Sequence, residues 1–424
     1  MDVVTILDDA KDSIRPDPKS LVGVDVFVKK IRDLIKKNKI DAVCMKGGSI
    51  AKGTFLKKGF DVDLFVQFDP KYEKEDLSAM LGKMLAPLNP SELHGSRNYF
   101  QVKNKFVFEI IPVLKVKDYK HAKNVTDMSP LHVEYVRKHL KLKPFLADEI
   151  RLAKQFCKSI GVYGAESYIS GLSGHVLDIL VIHHGSFLNL LTAIANGWGS
   201  KKVIDPELHL DDPEKELDKS KRVSPLILVD PLQPDRNAAA ALSAEKYERL
   251  KRKAREFLKE PSIDYFKIQE YNAAFFKKKL KEAEENAIMM IVYAEPLEKK
   301  IDVSGAKMLK VFEYIKKEIT GCDFTLYSSG WQFKQTQGIL YFIVKNETLA
   351  EFREHAGPPV RSKKFYKQFI TKHPEETLFI KDKKVYALVK RKNRTIRPLI
   401  KKLLASVYVN ERTKKIIKIE FLRK

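Results

Sequence analysis

Residues 60–68 read Phe-Asp-Val-Asp-Leu-Phe-Val-Gln-Phe, a β-branched, aromatic and apolar run interrupted by two acids. Such a run favours an extended strand over a helix. Strand side chains alternate between faces, so Asp61 and Asp63 share one face while Val62 and Leu64 project into a core. Residues 106–114 read Phe-Val-Phe-Glu-Ile-Ile-Pro-Val-Leu, a second strand with one acid inside it. Glu109 is an expensive buried charge unless it is paired or metal-bound. If the two strands lie side by side, Asp61, Asp63 and Glu109 converge on one point.

A turn precedes the first acidic strand. Lys46-Gly47-Gly48-Ser49-Ile50-Ala51-Lys52-Gly53-Thr54 follows the short apolar run Ala42-Val43-Cys44-Met45. Glycine lets a backbone approach phosphate closely, and a helix beginning near Ser49 aims its amides there. Gly48, Ser49 and Lys52 are the nucleotide-facing candidates of this turn. Hard carboxylate oxygens suit Mg²⁺, and two such ions about 3.5–4 Å apart are a known clamp for in-line displacement. Each piece alone has a plain structural reading. In this order and strand context they point to polymerase-type nucleotidyl transfer from a nucleoside triphosphate.

Composition narrows the partner. The net charge is +24, from 79 lysines and arginines against 55 acids, which attracts polyanions and makes nucleic acid the first candidate. The length of 424 residues suggests two to four domains at about 150 residues each. No apolar run reaches the roughly 18 residues of a membrane span, and the N-terminus lacks a signal-peptide pattern. Cys44, Cys157 and Cys322 are scattered without metal spacing. The expectation is a cytoplasmic protein with reduced thiols.

Along the chain, residues 19–39 predict an amphipathic helix with Val26, Ile31 and Ile35 among its apolar positions. A polar helix follows at about 74–87. Residues 148–159 predict a helix stopped at Gly161-Val162-Tyr163-Gly164, and 175–195 a single strongly apolar helix. Residues 199–222 are polar and predict a loop or mobile insertion, ahead of a Pro-punctuated turn at Val229-Asp230-Pro231. A long basic helix is predicted over 238–259. Further on, 286–294, 324–331 and 338–345 predict strands and 303–318 a helix, an order that suggests an RRM-like or ferredoxin-like sandwich. The end of the chain is dense in base at 390–394, 401–402 and 414–415.

With these segments in view, the chain resembles an archaeal-type (class I) CCA-adding enzyme, a tRNA nucleotidyltransferase of the polymerase β superfamily. Gly161-Val-Tyr-Gly-Ala-Glu166, Ser170-Gly-Leu-Ser-Gly174, Val229-Asp-Pro-Leu-Gln-Pro-Asp-Arg-Asn237 and His355-Ala-Gly-Pro-Pro-Val360 carry the resemblance. It runs from about residue 19 to beyond 360. It implies an α+β multidomain fold: a nucleotidyltransferase head with a mixed sheet (1–140), a helical neck that binds nucleotide (141–265), and an α+β body with a basic tRNA-binding tail (266–424). It implies template-independent addition of C, C and A to the 3′ end of tRNA from CTP and ATP, with release of pyrophosphate and two Mg²⁺ per site. The acceptor stem and T-loop side of tRNA is the expected partner surface, and homodimers are common among such relatives.

By the resemblance, Asp61, Asp63 and Glu109 are the catalytic, metal-binding acids, with Glu109 where Asp is usual. Ser49 lies near the triphosphate. Ser129 falls where a Thr often contacts phosphate, Lys154 on a triphosphate lysine, Tyr163 on a tyrosine approaching the same group, and Arg236 on an arginine that reads the incoming base or its phosphates. Ser96-Arg97 replaces a His-Pro pair near the nucleotide. Without the resemblance, Lys154 reads as a helix-surface lysine, Tyr163 as a half-buried capping aromatic, and Arg236 as a charge ahead of Asn237, a good N-cap. His355 reads as structural or tRNA-facing. The rival expectations are a poly(A) polymerase or 2′-5′ oligoadenylate synthase of the same superfamily, or a silent RNA-binding protein that kept the fold.

Overall fold

The computed structural model describes residues 2–297, 300–334 and 336–424. The chain divides into two compact units, Met1–Gln269 and Glu270–Lys424. The first opens with α1 (Val3–Ile14), capped by the Asp2 carboxylate, which accepts from the Val4 and Thr5 amides. This helix was not anticipated; it buries Ile6, Leu7, Ala10 and Ile14 at its 3.6-residue period. In α2 (Val22–Lys37) the buried stripe is Val24, Phe27, Val28, Ile31 and Ile35. Val26 lies off that stripe and is exposed, contrary to its expected place.

Next come β1 (Ala42–Lys46), the short α3 (Gly48–Lys52), β2 (Val62–Phe68), α4 (Leu77–Leu85), β3 (Ser91–Leu93), β4 (Tyr99–Lys103) and β5 (Val107–Leu114). They build one mixed sheet in the order β1-β2-β5-β4-β3, with β2 and β5 parallel and the other pairs antiparallel. Its core includes Val62, Leu64, Val66 and Ile110, with Phe27 stacked on Phe108 at 3.8 Å between ring centroids. The helix expected to be polar over 74–87 is instead α4, which buries Leu77, Leu81, Met84 and Leu85.

A helical layer follows: α5 (Ser129–Leu142), α6 (Leu146–Ser159), α7 (Gly174–His184) and α8 (Phe187–Gly197). The single apolar helix expected over 175–195 is two helices bent by 91°. Gly185 breaks it with a left-handed φ of +79°, and the Ser186 hydroxyl caps the next helix by accepting from the Asn189 amide. No single helix among the described residues is long and apolar enough to cross a membrane. The polar stretch 199–222 is not a plain loop. It contains β6 (Lys202–Ile204), which pairs parallel to β7 (Leu226–Asp230), and the short helix α9 (Pro213–Glu216). Antiparallel β8 (Gln233–Asn237) follows β7, and α10 (Ala244–Lys259) starts at the N-cap Ser243 rather than at Asn237.

In the second unit, α11 (Ala273–Glu282) leads into β9 (Ala287–Pro296), α12 (Ile301–Gly321), β10 (Leu326–Lys334) and β11 (Gln337–Lys345). The run from Ala287 to Val292 is apolar without a break because both its faces are covered. Ile288, Met290 and Val292 pack with Met308, Val311 and Ile315 of α12; Met289 and Ile291 pack with Phe275 and Phe276 of α11. A smaller antiparallel sheet follows, of β12 (Phe352–Pro359), β13 (Thr377–Lys381) and β14 (Lys384–Lys390), with α13 (Lys363–Lys372). The chain ends with α14 (Ile396–Leu404), α15 (Val407–Asn410) and β15 (Thr413–Arg423), which pairs with β9 to complete the order β10-β11-β9-β15.

Candidate active site

Parallel pairing of β2 with β5 sets Asp63 directly opposite Glu109, with Asp61 just ahead of the first strand. Gln101 of β4 faces Glu109 from the other side and donates from Nε2 to Oε1 at 3.4 Å. The three acids crowd one another. Burial, then Asp63 and Asp61, push Glu109 up to about 7. Burial and Asp61 push Asp63 up to about 6, with Lys52 as partial relief. Asp61, exposed but beside the half-buried pair, is raised by desolvation and relieved by Lys158. Tyr99 of β4 feels all three and is pushed up to about 12, by burial first. A cluster of hard oxygen donors with surplus negative charge fits a divalent cation, which would favour all three ionised.

The turn between β1 and α3 presses on this cluster. Gly47 donates its amide to the Asp63 carbonyl at 2.7 Å. Gly48 has a φ of +50°, and a Cβ there would collide with the Asp63 carboxylate. Glycine is required twice over, for the left-handed backbone and for the space. Helix α3 has only five residues, so Ser49 offers its hydroxyl and the local turn amides rather than the dipole of a long helix.

Lys52, at the end of α3, is ion-paired with Asp178 of α7, which is fully buried. Lys154 of α6 reaches the same carboxylate at 2.9 Å and donates to the Thr54 hydroxyl at 2.9 Å. It is not the surface lysine its local sequence suggests, since only 3% of it is exposed. Burial pulls Lys154 down to about 8, against the opposing pull of Asp178. Burial alone would raise Asp178, but the two lysines outweigh it and hold the carboxyl low. Tyr163 is half-buried; burial first, then Asp178, raises its hydroxyl, and the Lys158 ammonium sits 5.0 Å from its ring centroid.

Ser129 is the first residue of α5, which packs against α3. Arg97 is not a free charge near the nucleotide turn. Its guanidinium is forked onto Asp127, fully buried, and also donates to the Pro112 carbonyl at 3.2 Å. Arg236 of β8 donates from Nη1 to Asp230 at 3.1 Å, beside His132 and His175. The arrangement thus joins Asp61, Asp63, Glu109 and Lys52 in one electrostatic cluster, with Gly48 close against Asp63, and reaches Lys154 and Tyr163 through Asp178. Ser129 and Arg236 stand on neighbouring elements.

Three successive segments match known families. Residues 28–157 match the nucleotidyltransferase domain, 148–267 the second domain of tRNA nucleotidyltransferase, and 285–419 the C-terminal domain of CCA-adding enzyme. A CCA-adding enzyme of Nanoarchaeum equitans is 33% identical over 81% of this chain and 83% of its own length. One from Pyrobaculum aerophilum is 30% identical, covering 85% of this chain and 83% of that protein. The chain belongs to the CCA-adding enzyme family. A third family member, from Methanocaldococcus jannaschii, is 28% identical over 98% of this chain and 94% of its own. Among solved structures, Cid1 poly(U) polymerase aligns with a TM-score of 0.51 at 14% identity, covering 62% of this chain and 98% of that one. That likeness shows the polymerase β-type nucleotidyltransferase fold.

Several residues of this family member escaped the reading of its sequence. Asp178 sits in Gly174-His-Val-Leu-Asp-Ile-Leu-Val181, a lone acid in an apolar helix, and that isolation was the available signal. Thr54 and Lys158 gave none. His132, His175 and Asp230 come from three distant segments that only folding brings together.

Proposed function

We propose that this protein adds C, C and A, drawn from CTP and ATP, to the 3′ end of tRNA and releases pyrophosphate. The observation that carries the reading is Asp63 facing Glu109, with Asp61 at the strand mouth and Gly48 pressed against Asp63, in a chain of this family. Asp61, Asp63 and Glu109 would hold Mg²⁺, two ions in our reading. Bound there, the metal supplies Lewis acidity toward the attacking 3′-hydroxyl and the triphosphate. Ser49, the turn amides, Ser129 and Tyr163 offer hydrogen bonds to phosphate oxygens. Lys52 and Lys154 bring positive charge to the charge that develops on the leaving group. Arg236 offers donors to the incoming base, since no template strand reads it.

In this reading residues 1–140 are the catalytic head, 141–265 the neck and nucleotide-binding region, and 266–424 the body and tail that hold the acceptor stem and T-loop side of tRNA. A cytoplasmic location is part of the same proposal, from the tRNA and nucleotide substrates it assigns. Homodimerisation rests on the resemblance alone, and sedimentation of the purified protein decides it.

The deciding experiment offers labelled CTP and ATP to tRNAs ending at the discriminator base, at C and at CC, with and without Mg²⁺. Stepwise extension to CCA and then arrest is expected. Runaway adenylation would instead make this a poly(A)-type polymerase, and tight tRNA binding without incorporation a silent binder. Asp61→Ala is expected to abolish incorporation and leave tRNA affinity largely intact. Full activity in that variant would overturn the assignment of the acids.

A further inference from the structure

Asp230 ends β7 fully buried, and four donors converge on its two oxygens. The Leu232 amide and His132 Nε2 each reach Oδ1 at 3.0 Å. His175 Nε2 reaches Oδ2 at 3.2 Å, and Arg236 Nη1 reaches it at 3.1 Å. The Leu232 amide and the Arg236 guanidinium hold the carboxylate ionised, and an acceptor-only group this close to both Nε2 atoms favours the tautomer of each imidazole that carries a proton there. The two rings lean together, their centroids 4.2 Å apart. Burial alone would raise the Asp230 carboxyl, but the bonds from His132 and His175 outweigh it and hold it well below the usual range.

This hub is built from four elements, α5, α7, β7 and β8, and both helices also carry residues of the candidate site. On α5, Ser129 lies one turn before His132. On α7, His175 lies one turn before Asp178, the shared partner of Lys52 and Lys154. The hub therefore borders the same site. Its outward member is Arg236, with 36% of its side chain exposed, against 10% for His132 and 18% for His175.

His132, His175 and Asp230 also place ligand atoms within 4.8 Å of one another, as a metal site would. The guanidinium on Oδ2 argues against a cation there. It is a fixed positive charge where the ion would sit, and both oxygens of Asp230 already accept two bonds each.

We propose that Asp230, held by His132 and His175, is the positioning residue that sets the Arg236 guanidinium to select C and A over U and G. The proposal rests on Arg236 facing the incoming base in the reaction proposed above. C and A present a bare ring nitrogen, N3 or N1, beside an amino group; U and G carry a proton on that nitrogen. A guanidinium only donates. Fixed in the base plane, it pairs with the first two bases and meets a proton on the other two. Free to swing, it turns to the carbonyl oxygen of U or G and discrimination falls. Tying one Nη to a buried carboxylate removes that freedom.

The test measures kcat/KM for CTP, ATP, UTP and GTP on tRNA ending at C or CC. It compares the wild type with Arg236→Ala, Asp230→Asn, His175→Ala, His175→Gln and the double variant Asp230→Asn/Arg236→Ala. Arg236→Ala, Asp230→Asn and His175→Ala are each expected to lower the CTP/UTP and ATP/GTP ratios by at least about tenfold. His175→Gln, which keeps a donor in place of Nε2, is expected to restore most of the ratio. Asp230→Asn should add nothing to Arg236→Ala. A loss by one factor for all four nucleotides would mean a merely structural role and overturn the proposal, as would multiplying losses in the double variant. A transition metal at one equivalent in the wild type, lost in Asp230→Asn, would make the cluster a metal site instead. Unchanged ratios in Arg236→Ala would sink the base-facing reading as well; unchanged ratios in Asp230→Asn alone would sink only the hub. If Asp230→Asn fails to fold by thermal melting, the His175→Ala and His175→Gln pair decides.

Discussion

Glu109 sits in a parallel strand pair directly opposite another acid, Asp63. Its carboxyl is pushed up to about 7, from 4.5, chiefly by burial and then by Asp63 and Asp61. Between those values the folded chain keeps a proton that the unfolded chain has released. Stability therefore falls as pH rises through that window in metal-free buffer. Glu109→Gln is expected to raise the metal-free melting temperature at pH 7.5 by about 1–2 °C, since roughly 1 kcal/mol gives about 2–4 °C at 150–250 residues and less in a longer chain. The same variant should lose most of the further rise that Mg²⁺ gives the wild type. A variant that melts lower, or keeps the full Mg²⁺ response, would contradict the crowded-acid account. Lys154 works in the opposite sense. Burial lowers its ammonium to about 8, so its charge is present below that pH and lost above it. If that charge serves the triphosphate, kcat/KM for CTP declines as pH passes about 8, and Lys154→Arg, charged throughout, moves the decline upward. A profile flat to pH 10 in the wild type would remove Lys154 from that role.

At the scale of the element, the β1–α3 turn and strand β2 act as one piece. The Gly47 amide holds the Asp63 carbonyl, and Gly48 lies against the Asp63 side chain in a left-handed conformation. Gly48→Ala therefore meets two penalties: about 1–2 kcal/mol of backbone strain and a displaced carboxylate. Since a misplacement of about 1 Å can cost on the order of 10²-fold in rate, we expect a loss of that size in kcat with tRNA affinity kept. Gly53 is the internal control. It caps α3 at a φ of +68°, yet a Cβ there meets nothing within 4 Å. Gly53→Ala should cost only the strain, read as a lower melting temperature with kcat nearly unchanged. Equal effects of the two substitutions would refute the role given to the Gly48 approach.

For the whole molecule, the net charge of +24 sets the long-range attraction to RNA. Part of the base near the end of the chain is already neutralised within the fold. Lys390 pairs with Glu351, Arg391 with Asp323, and Lys414 and Lys415 with Glu295. Lys392, Lys401 and Lys402 are exposed, with no ion pair among the described residues. If these reach phosphate, tRNA affinity falls linearly on a log–log plot against salt, with a slope of about −0.9 per phosphate contact. Lys401→Glu with Lys402→Glu should flatten that slope and weaken binding, while kcat at saturating tRNA holds. An unchanged slope would move the tRNA contact elsewhere.

Much of the candidate site's geometry was legible because its signals are local. Alternation along a strand puts Asp61 and Asp63 on one face whatever the strand packs against, and adjacent glycines ahead of it permit a close backbone approach. Interrupted periodicity was less safe: 175–195 read as one helix because composition does not show how far Gly185 and Ser186 bend the chain. What only tertiary structure decided are the long-range pairings. The parallel register sets Asp63 opposite Glu109 rather than one residue away. Lys52 meets Asp178 across 126 residues of sequence, and Lys154 is buried by helices that its own helix does not specify. His132, His175 and Arg236 meet at Asp230 because two helices and a pair of strands pack together. Periodicity and turn chemistry act over a few residues and are written in the chain; which faces meet, and so which charges share a buried carboxylate, is fixed only when those faces close on one core.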